Sequence, residues 1–102
     1  MEISFSKMHG CGNDYIVVDG RDLELDWSNI ALKYCERKFS VGADGLLVVK
    51  TSDKAPVKMS MYNPDGSEAQ MCGNGIRCFT KYIIENEIIQ YQQNGLFIET
   101  LA

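Results

Sequence analysis

Four cysteines and a single histidine are the obvious reactive groups in this chain of 102 residues. Cys72 has the most suggestive surroundings. It lies in Met71-Cys72-Gly73-Asn74-Gly75-Ile76-Arg77-Cys78-Phe79, which reads as a strand end, a tight glycine turn and the start of a helix. Gly73 and Gly75 let a ligand come close to the main chain. Ile76, Phe79 and Ile83 then recur at the helical period. That spacing puts Cys72 just ahead of a helix N-terminus, where outward-pointing N–H groups bind anions and favour a thiolate over a thiol. A surface helix end supplies only ~0.3–1 kcal/mol, less than about one pKa unit. By itself it leaves a thiol with an ordinary pKa near ~8.5 only partly ionised at neutral pH. Two readings therefore stand at Cys72. One is an acid–base or nucleophilic thiol; the other is a buried, inert cysteine, the common fate of the residue.

The remaining candidates are weaker. Cys78 follows Cys72 by about 600° of helical rotation and so faces away from it, which suits core packing. Cys35 falls on an amphipathic helix and also reads as core. Cys11 lies in a glycine loop, where a packing or backbone role is expected. No two cysteines form a C-x-x-C pair, so no zinc site is expected, and no other metal site or cofactor is implied. Asn13, Asn63 and Asn74 all fall at loop or element ends. Such residues make turns and caps, or offer donor and acceptor together to a zwitterionic ligand. His9 reads as a strand-end hydrogen bonder. Arg77 sits in the first helical turn, where the helix dipole does not favour a cation. The glycine runs match neither a phosphate-binding P-loop nor a dinucleotide fingerprint.

The elements that must position these residues follow from periodicity. Residues 2–8 alternate as a half-buried strand, and 9–14 read as a loop. Residues 15–19 are β-branched and aromatic, a strand buried on both faces. Ser28 is an N-cap candidate for a helix over about 28–38, with Ile30, Ala31, Tyr34 and Cys35 as its apolar stripe. Strands follow at 46–49, 57–62 and 67–71, with Pro64-Asp65-Gly66 as a strong turn. The helix at about 74–86 carries Ile76, Cys78, Phe79, Tyr82, Ile83 and Ile84 around most of its circumference. A helix apolar all round belongs inside a domain, so a strongly curved sheet wrapped around it is expected. A last strand is expected at 96–101.

Bulk properties narrow the class. Length suits one modest domain, and 45% apolar residues suffice for a core. A net charge of −4 argues against nucleic acid as partner. No apolar run approaches the ~18 residues of a membrane span, and the first residues lack the pattern of a signal peptide. The expected setting is a reducing cytoplasm, where disulfides are not expected.

Three long motifs carry a family resemblance. They are Lys7-Met8-His9-Gly10-Cys11-Gly12-Asn13-Asp14-Tyr15, Tyr62-Asn63-Pro64-Asp65-Gly66-Ser67-Glu68 and the run from Met71 to Phe79. Together with Gly42-Ala43-Asp44-Gly45-Leu46 they closely resemble motifs of diaminopimelate epimerase, in the right order. The resemblance spans essentially the whole chain but only the N-terminal half of the family's length. It implies an α+β fold with a curved, barrel-like, mainly antiparallel sheet around a central helix at about 74–86. It further implies that 1–102 is the N-terminal domain of a two-domain enzyme whose C-terminal domain is absent. The implied activity is interconversion of LL- and meso-diaminopimelate without pyridoxal phosphate or metal. Cys72 matches the family's catalytic cysteine in this domain, and Asn13, Asn63, Gly73 and Asn74 match its substrate-binding positions. Gly45 stands where some members carry glutamine. The second cysteine and the acidic–arginine pair of the family have no counterpart here, so the chain alone is expected to be inactive. Two alternatives remain. One is a homodimer that faces two Cys72 thiols across a cleft; the other is a non-catalytic module that binds an amino acid.

Overall fold

The computed structural model describes residues 4–10, 12–37, 42–70, 73–89 and 98–101. In chain order the elements are β1 (Phe5–Gly10), β2 (Asn13–Asp19), α1 (Trp27–Tyr34), β3 (Gly45–Lys50), β4 (Val57–Tyr62), β5 (Glu68–Ala69), α2 (Gly73–Glu85) and β6 (Ile98–Glu99). The strands form one sheet of 6 in the order β1-β2-β3-β4-β5, with β6 paired to β4 beside β5. Pairings β1–β2, β3–β4 and β4–β5 are antiparallel, and β2–β3 and β4–β6 are parallel. The α+β class and the mainly antiparallel sheet are as expected.

Strands β2 and β3 explain the layering. Their side chains alternate between faces, and both faces are apolar. Tyr15, Val17, Leu47 and Val49 point one way, where Cys78, Phe79, Tyr82 and Ile83 of α2 cover them together with Val57, Met59 and Met61 of β4. Ile16, Val18, Leu46 and Val48 point the other way, onto Trp27 and Ala31 of α1 and onto Cys35 just beyond it. A sheet covered by a helix on each face is a layered structure, and among the described residues it does not close around α2. The polar side of α2 stays in water: Arg77, Lys81 and Glu85 are exposed in a row, and only the opposite side is buried. Ile76 and Ile84 pack at the margin of the core, half-buried.

Local chemistry moved several expected boundaries. Asp26 caps α1, its carboxylate accepting from the Asn29 N–H at 3.2 Å, so the helix starts a residue ahead of Ser28. This earlier start places Trp27 in the helix and over the sheet, against Gly20 and Val48. The helix stops at Tyr34, which is exposed, and Cys35 is its C-cap, whose N–H bonds the Ala31 carbonyl. The expected loop at 9–14 is a hairpin: β1 and β2 pair up to Gly10 opposite Asn13. Gly12 in its turn has φ of +88°, a conformation that favours glycine. Of the expected strand at 67–71 the described residues 67–70 form only β5, and of the strand at 96–101 the described residues 98–101 form only β6.

Two substitutions test this layering by urea unfolding. Leu47 is completely buried against α2, so Leu47→Ala should lower stability by ~2–5 kcal/mol. Ser60 is equally buried, yet its hydroxyl finds no hydrogen-bond partner among the described residues. Ser60→Ala should therefore leave stability unchanged or raise it, since burying an unpaired hydroxyl costs ~1–3 kcal/mol.

Candidate functional site

One end of the sheet gathers most of the candidate residues. The β1–β2 hairpin, the start of β3 and the end of β4 all lie there, because Tyr15 is opposite Gly45 and Leu46 is opposite Tyr62. Asn13 opens β2, and Asn63 follows the last residue of β4. The first turn of α2 packs against the hairpin. A Cβ built on Gly10 would stand 2.9 Å from Cys78 Sγ and 3.4 Å from the Asn74 carbonyl oxygen, so the close approach of strand and helix needs glycine there.

Asn13 and Asn74 meet directly: Asn74 Nδ2 donates to Asn13 Oδ1 at 2.9 Å. Asn13 Nδ2 in turn donates to Asp44 Oδ2 at 3.3 Å. Gly73 is the exposed first residue of α2, and apart from its chain neighbours and the backbone of its own helix no described atom lies within 4 Å of where its Cβ would be. The first turn of α2 contains no acidic side chain, so nothing in that turn offsets its outward N–H groups. Cys72 precedes Gly73 in sequence and lies outside the described residues, as do Met71 and Cys11.

Asn63 belongs to the same end of the sheet but is committed to its own turn. Its Nδ2 donates to Ser67 Oγ at 3.1 Å, its N–H to the Ser67 carbonyl at 2.8 Å, and its carbonyl accepts from Gly66 N–H at 2.9 Å. Here the turn-forming alternative read from sequence is realised. Cys35 and Cys78 are buried, as read, and burial pushes the Cys35 thiol up to about 11. His9 is exposed on β1, opposite Asp14.

Behind the two amides lies a charge cluster: Lys7, Asp14 and Asp44 fall within motifs quoted above, but nothing in the sequence showed that they meet one another and Arg37. Asp14 and Asp44 trade main-chain hydrogen bonds: Asp14 N–H donates to Asp44 Oδ2 at 2.9 Å, and Asp44 N–H donates to the Asp14 carbonyl at 2.8 Å. Arg37 Nη2 donates to Asp14 Oδ1 at 2.7 Å and to Asp44 Oδ1 at 2.9 Å, and Lys7 Nζ lies 3.2 Å from Asp14 Oδ2. The Arg37 hydrogen bonds hold the Asp14 carboxyl well below the usual carboxylate range. Burial opposes them, while Lys7 and Asp44 add to them. The one sequence signal was a charged residue at the head of an otherwise apolar, doubly buried strand.

Comparison with known proteins places this geometry. Residues 5–102 match the family model of diaminopimelate epimerase. The diaminopimelate epimerase of Caldanaerobacter subterraneus subsp. tengcongensis is 53% identical over 98 residues, covering 96% of this chain and 35% of that protein. The diaminopimelate epimerase of Halothermothrix orenii is 50% identical over 105 residues, covering 100% of this chain and 36% of that protein. The chain thus spans about a third of the length of these curated relatives. Among solved structures, a Bacillus anthracis phenazine biosynthesis protein of the PhzF family superposes with a TM-score of 0.71 at 24% identity. That match covers 97% of this chain and 32% of the other, and it speaks for the fold alone.

The charge cluster makes stability depend on acid. A carboxyl with a depressed folded pKa contributes stability above its unfolded value of ~3.9, and that contribution is lost as pH falls through the folded value. Melting temperature should therefore decline from about pH 5 downward. Asp14→Asn should lower it at neutral pH and flatten the acid decline, both followed by circular dichroism. An unchanged acid slope would remove Asp14 from this role.

Proposed function

The chain belongs to the diaminopimelate epimerase family, and on that footing we propose that it supplies one half of the active site of an epimerase acting on diaminopimelate. In this reading Cys72 is one of two acid–base groups that invert the substrate's α-carbon. The observation that carries it is the Asn13–Asn74 hydrogen bond at the first turn of α2, the helix that begins directly after Cys72 in sequence.

Inversion at carbon requires a proton to leave one face and another to arrive on the opposite face. Two positioned groups on opposite sides do this directly, and general acid–base catalysis of this kind contributes typically ~10²–10⁴-fold. Cys72, as a thiolate, takes the proton on its face. The α-carboxylate of the substrate rests on the N–H groups of Gly73 and Asn74, which also stabilise negative charge as it develops on the deprotonated substrate. Asn13 offers its amide to the ammonium and carboxylate groups, and Asn63, whose Nδ2 is held by Ser67, contributes through its side-chain oxygen.

A bound carboxylate opposes ionisation of a nearby thiol, so one helix end is too weak to keep Cys72 charged. The second thiol, a second helix end and the groups that grip the far end of the substrate come from a C-terminal domain in the remaining length of the family. Closure of that domain removes water and strengthens every electrostatic contact inside. The reaction uses neither pyridoxal phosphate nor metal, takes place in the cytoplasm and serves lysine synthesis.

Two measurements test this reading. In deuterium oxide, the 102-residue chain alone should exchange no α-proton of diaminopimelate, whereas a chain of the relatives' full length should exchange it. Cys72→Ser in that longer chain should cut the exchange by about 10²-fold or more. Exchange by the short chain alone, abolished by Cys72→Ser, would replace this reading with the homodimer. Native-state alkylation at neutral pH should modify Cys72 and spare Cys35 and Cys78, which are 2% and 3% exposed.

A further inference from the structure

Asp44 directly precedes β3 and is linked to the first turn of α2 through Asn13, and the proposed reaction gives it no task. Its Oδ2 accepts from Asp14 N–H at 2.9 Å and from Asn13 Nδ2 at 3.3 Å, and its Oδ1 accepts from Arg37 Nη2 at 2.9 Å. An ionised carboxylate can only accept, whereas a carboxamide presents a donor at one end and an acceptor at the other. The two ends of a carboxamide have nearly the same shape, so its neighbours decide which way it points. Facing Asp44, Asn13 has to turn its NH2 group inward. Its oxygen is then left for Asn74, and Asn74 has to answer with its own NH2 group, as the 2.9 Å contact records.

The link from Asn13 to Asp44 is long, at 3.3 Å against a usual ~2.9–3.0 Å, so it holds only if Asp44 itself is anchored. Arg37 supplies the anchor by bridging Asp14 and Asp44 through one nitrogen, while its Nη1 donates to Asp14 Oδ2 at 3.2 Å.

We infer that Asp44, anchored by Arg37, is a positioning residue that fixes the donor–acceptor direction of the Asn13–Asn74 amide pair at the N-terminus of α2. Its value to the site rests on the reading above, in which that pair meets an amino acid. Such a ligand carries donors on its ammonium group and acceptors on its carboxylate. Reversing the pair would set donor against donor or acceptor against acceptor, and a site built on polar matches discriminates strongly against such mismatches. An acceptor-only group at the root of the chain removes the reversed arrangement before the ligand arrives.

Magnetic resonance on the uniformly 15N,13C-labelled chain reads the direction without reference to activity. Scalar coupling across hydrogen bonds should connect Asn74 Nδ2 to the side-chain carbonyl of Asn13, and Asn13 Nδ2 to the carboxyl of Asp44. Coupling in the opposite sense, from Asn13 Nδ2 to the Asn74 side-chain carbonyl, would overturn the inference in the unmutated protein. Asp44→Asn supplies a group that donates or accepts, so the Asn74-to-Asn13 coupling should weaken and the reverse coupling appear. Arg37→Gln keeps the carboxylate and its hydrogen bond from Asp14 N–H but removes the hold on Oδ1, and should weaken the Asn13-to-Asp44 coupling; this variant decides the matter if Asp44→Asn does not fold. Titration with diaminopimelate separates the two claims. No binding by an unmutated chain of the relatives' full length, with the predicted couplings present, counts against the substrate reading and supports the amide direction. Where the unmutated chain binds, Asp44→Asn should weaken binding by about tenfold with its backbone spectrum preserved. Equal binding by the two would overturn the positioning role.

Discussion

Two parallel strands buried on both faces have to end somewhere, and at their leading ends β2 and β3 end on an exchange of hydrogen bonds between Asp14 and Asp44. Backbone groups at a buried strand end must find partners or forfeit the free energy of a lost hydrogen bond. Here the carboxylate of Asp44 serves the main chain of its neighbour, so the clip closes within the sheet. The solution brings its own difficulty, because it sets two carboxylates side by side, and like charges repel. Arg37 resolves it by reaching both, and its planar fork suits that task better than an ammonium would. Lys7 from β1 adds a second cation to Asp14.

From that clip the alternation of strand side chains distributes the rest. Successive residues of β2 face opposite ways, so Asp14 turns toward the α1 side, with Ile16 and Val18, while Asn13 turns toward the α2 side, with Tyr15 and Val17. The chain after α1 delivers Arg37 to the first side, and the first turn of α2 delivers Asn74 to the second. Asp44 touches both sets. The height of α2 over the sheet is fixed independently by packing: Phe79 and Ile83 are fully buried against it, and Gly10 admits the sulfur of Cys78. Polar register and apolar packing thus meet at the same helical turn.

Much of this was legible in the residues, and the exceptions have physical causes. The strands at 15–19 and 57–62 announced themselves by β-branched runs and alternation, and the helix near 74–86 by its period. The hairpin at 9–14 did not, because glycines and polar side chains on both sides of its turn hide the alternation that marks a strand. The sequence points to Ser28 as the N-cap of α1, whereas Asp26 caps it in the structure, which goes with packing of Trp27 on Gly20, a tertiary matter. The wrapped helix was inferred from composition around its circumference, yet Arg77, Lys81 and Glu85 align on one exposed stripe. The sheet spends its second face on α1 instead. Asn13 and Asn74 were found as types and positions, but their direct contact joins residues 61 apart in sequence. The pairing of Arg37 with Asp14, across 23 residues, had no local signature at all.

The net charge of −4 raises the question of how such a chain would welcome an anionic ligand at α2. The answer lies in local neutrality. The two carboxylates nearest the site, Asp14 and Asp44, are matched by the two cations Lys7 and Arg37, so the cluster behind the amides carries no net charge. The first turn of α2 has no acidic side chain. An approaching carboxylate therefore meets backbone N–H groups and oriented amide dipoles rather than the excess negative charge of the surface, which is screened beyond about 8–10 Å at ordinary ionic strength. The same neutral cluster leaves the carboxylates free to act as fixed acceptors without adding net negative charge behind the amides. The directional root for the amides thus comes from these four side chains, and the unopposed helix end from the composition of the first turn of α2.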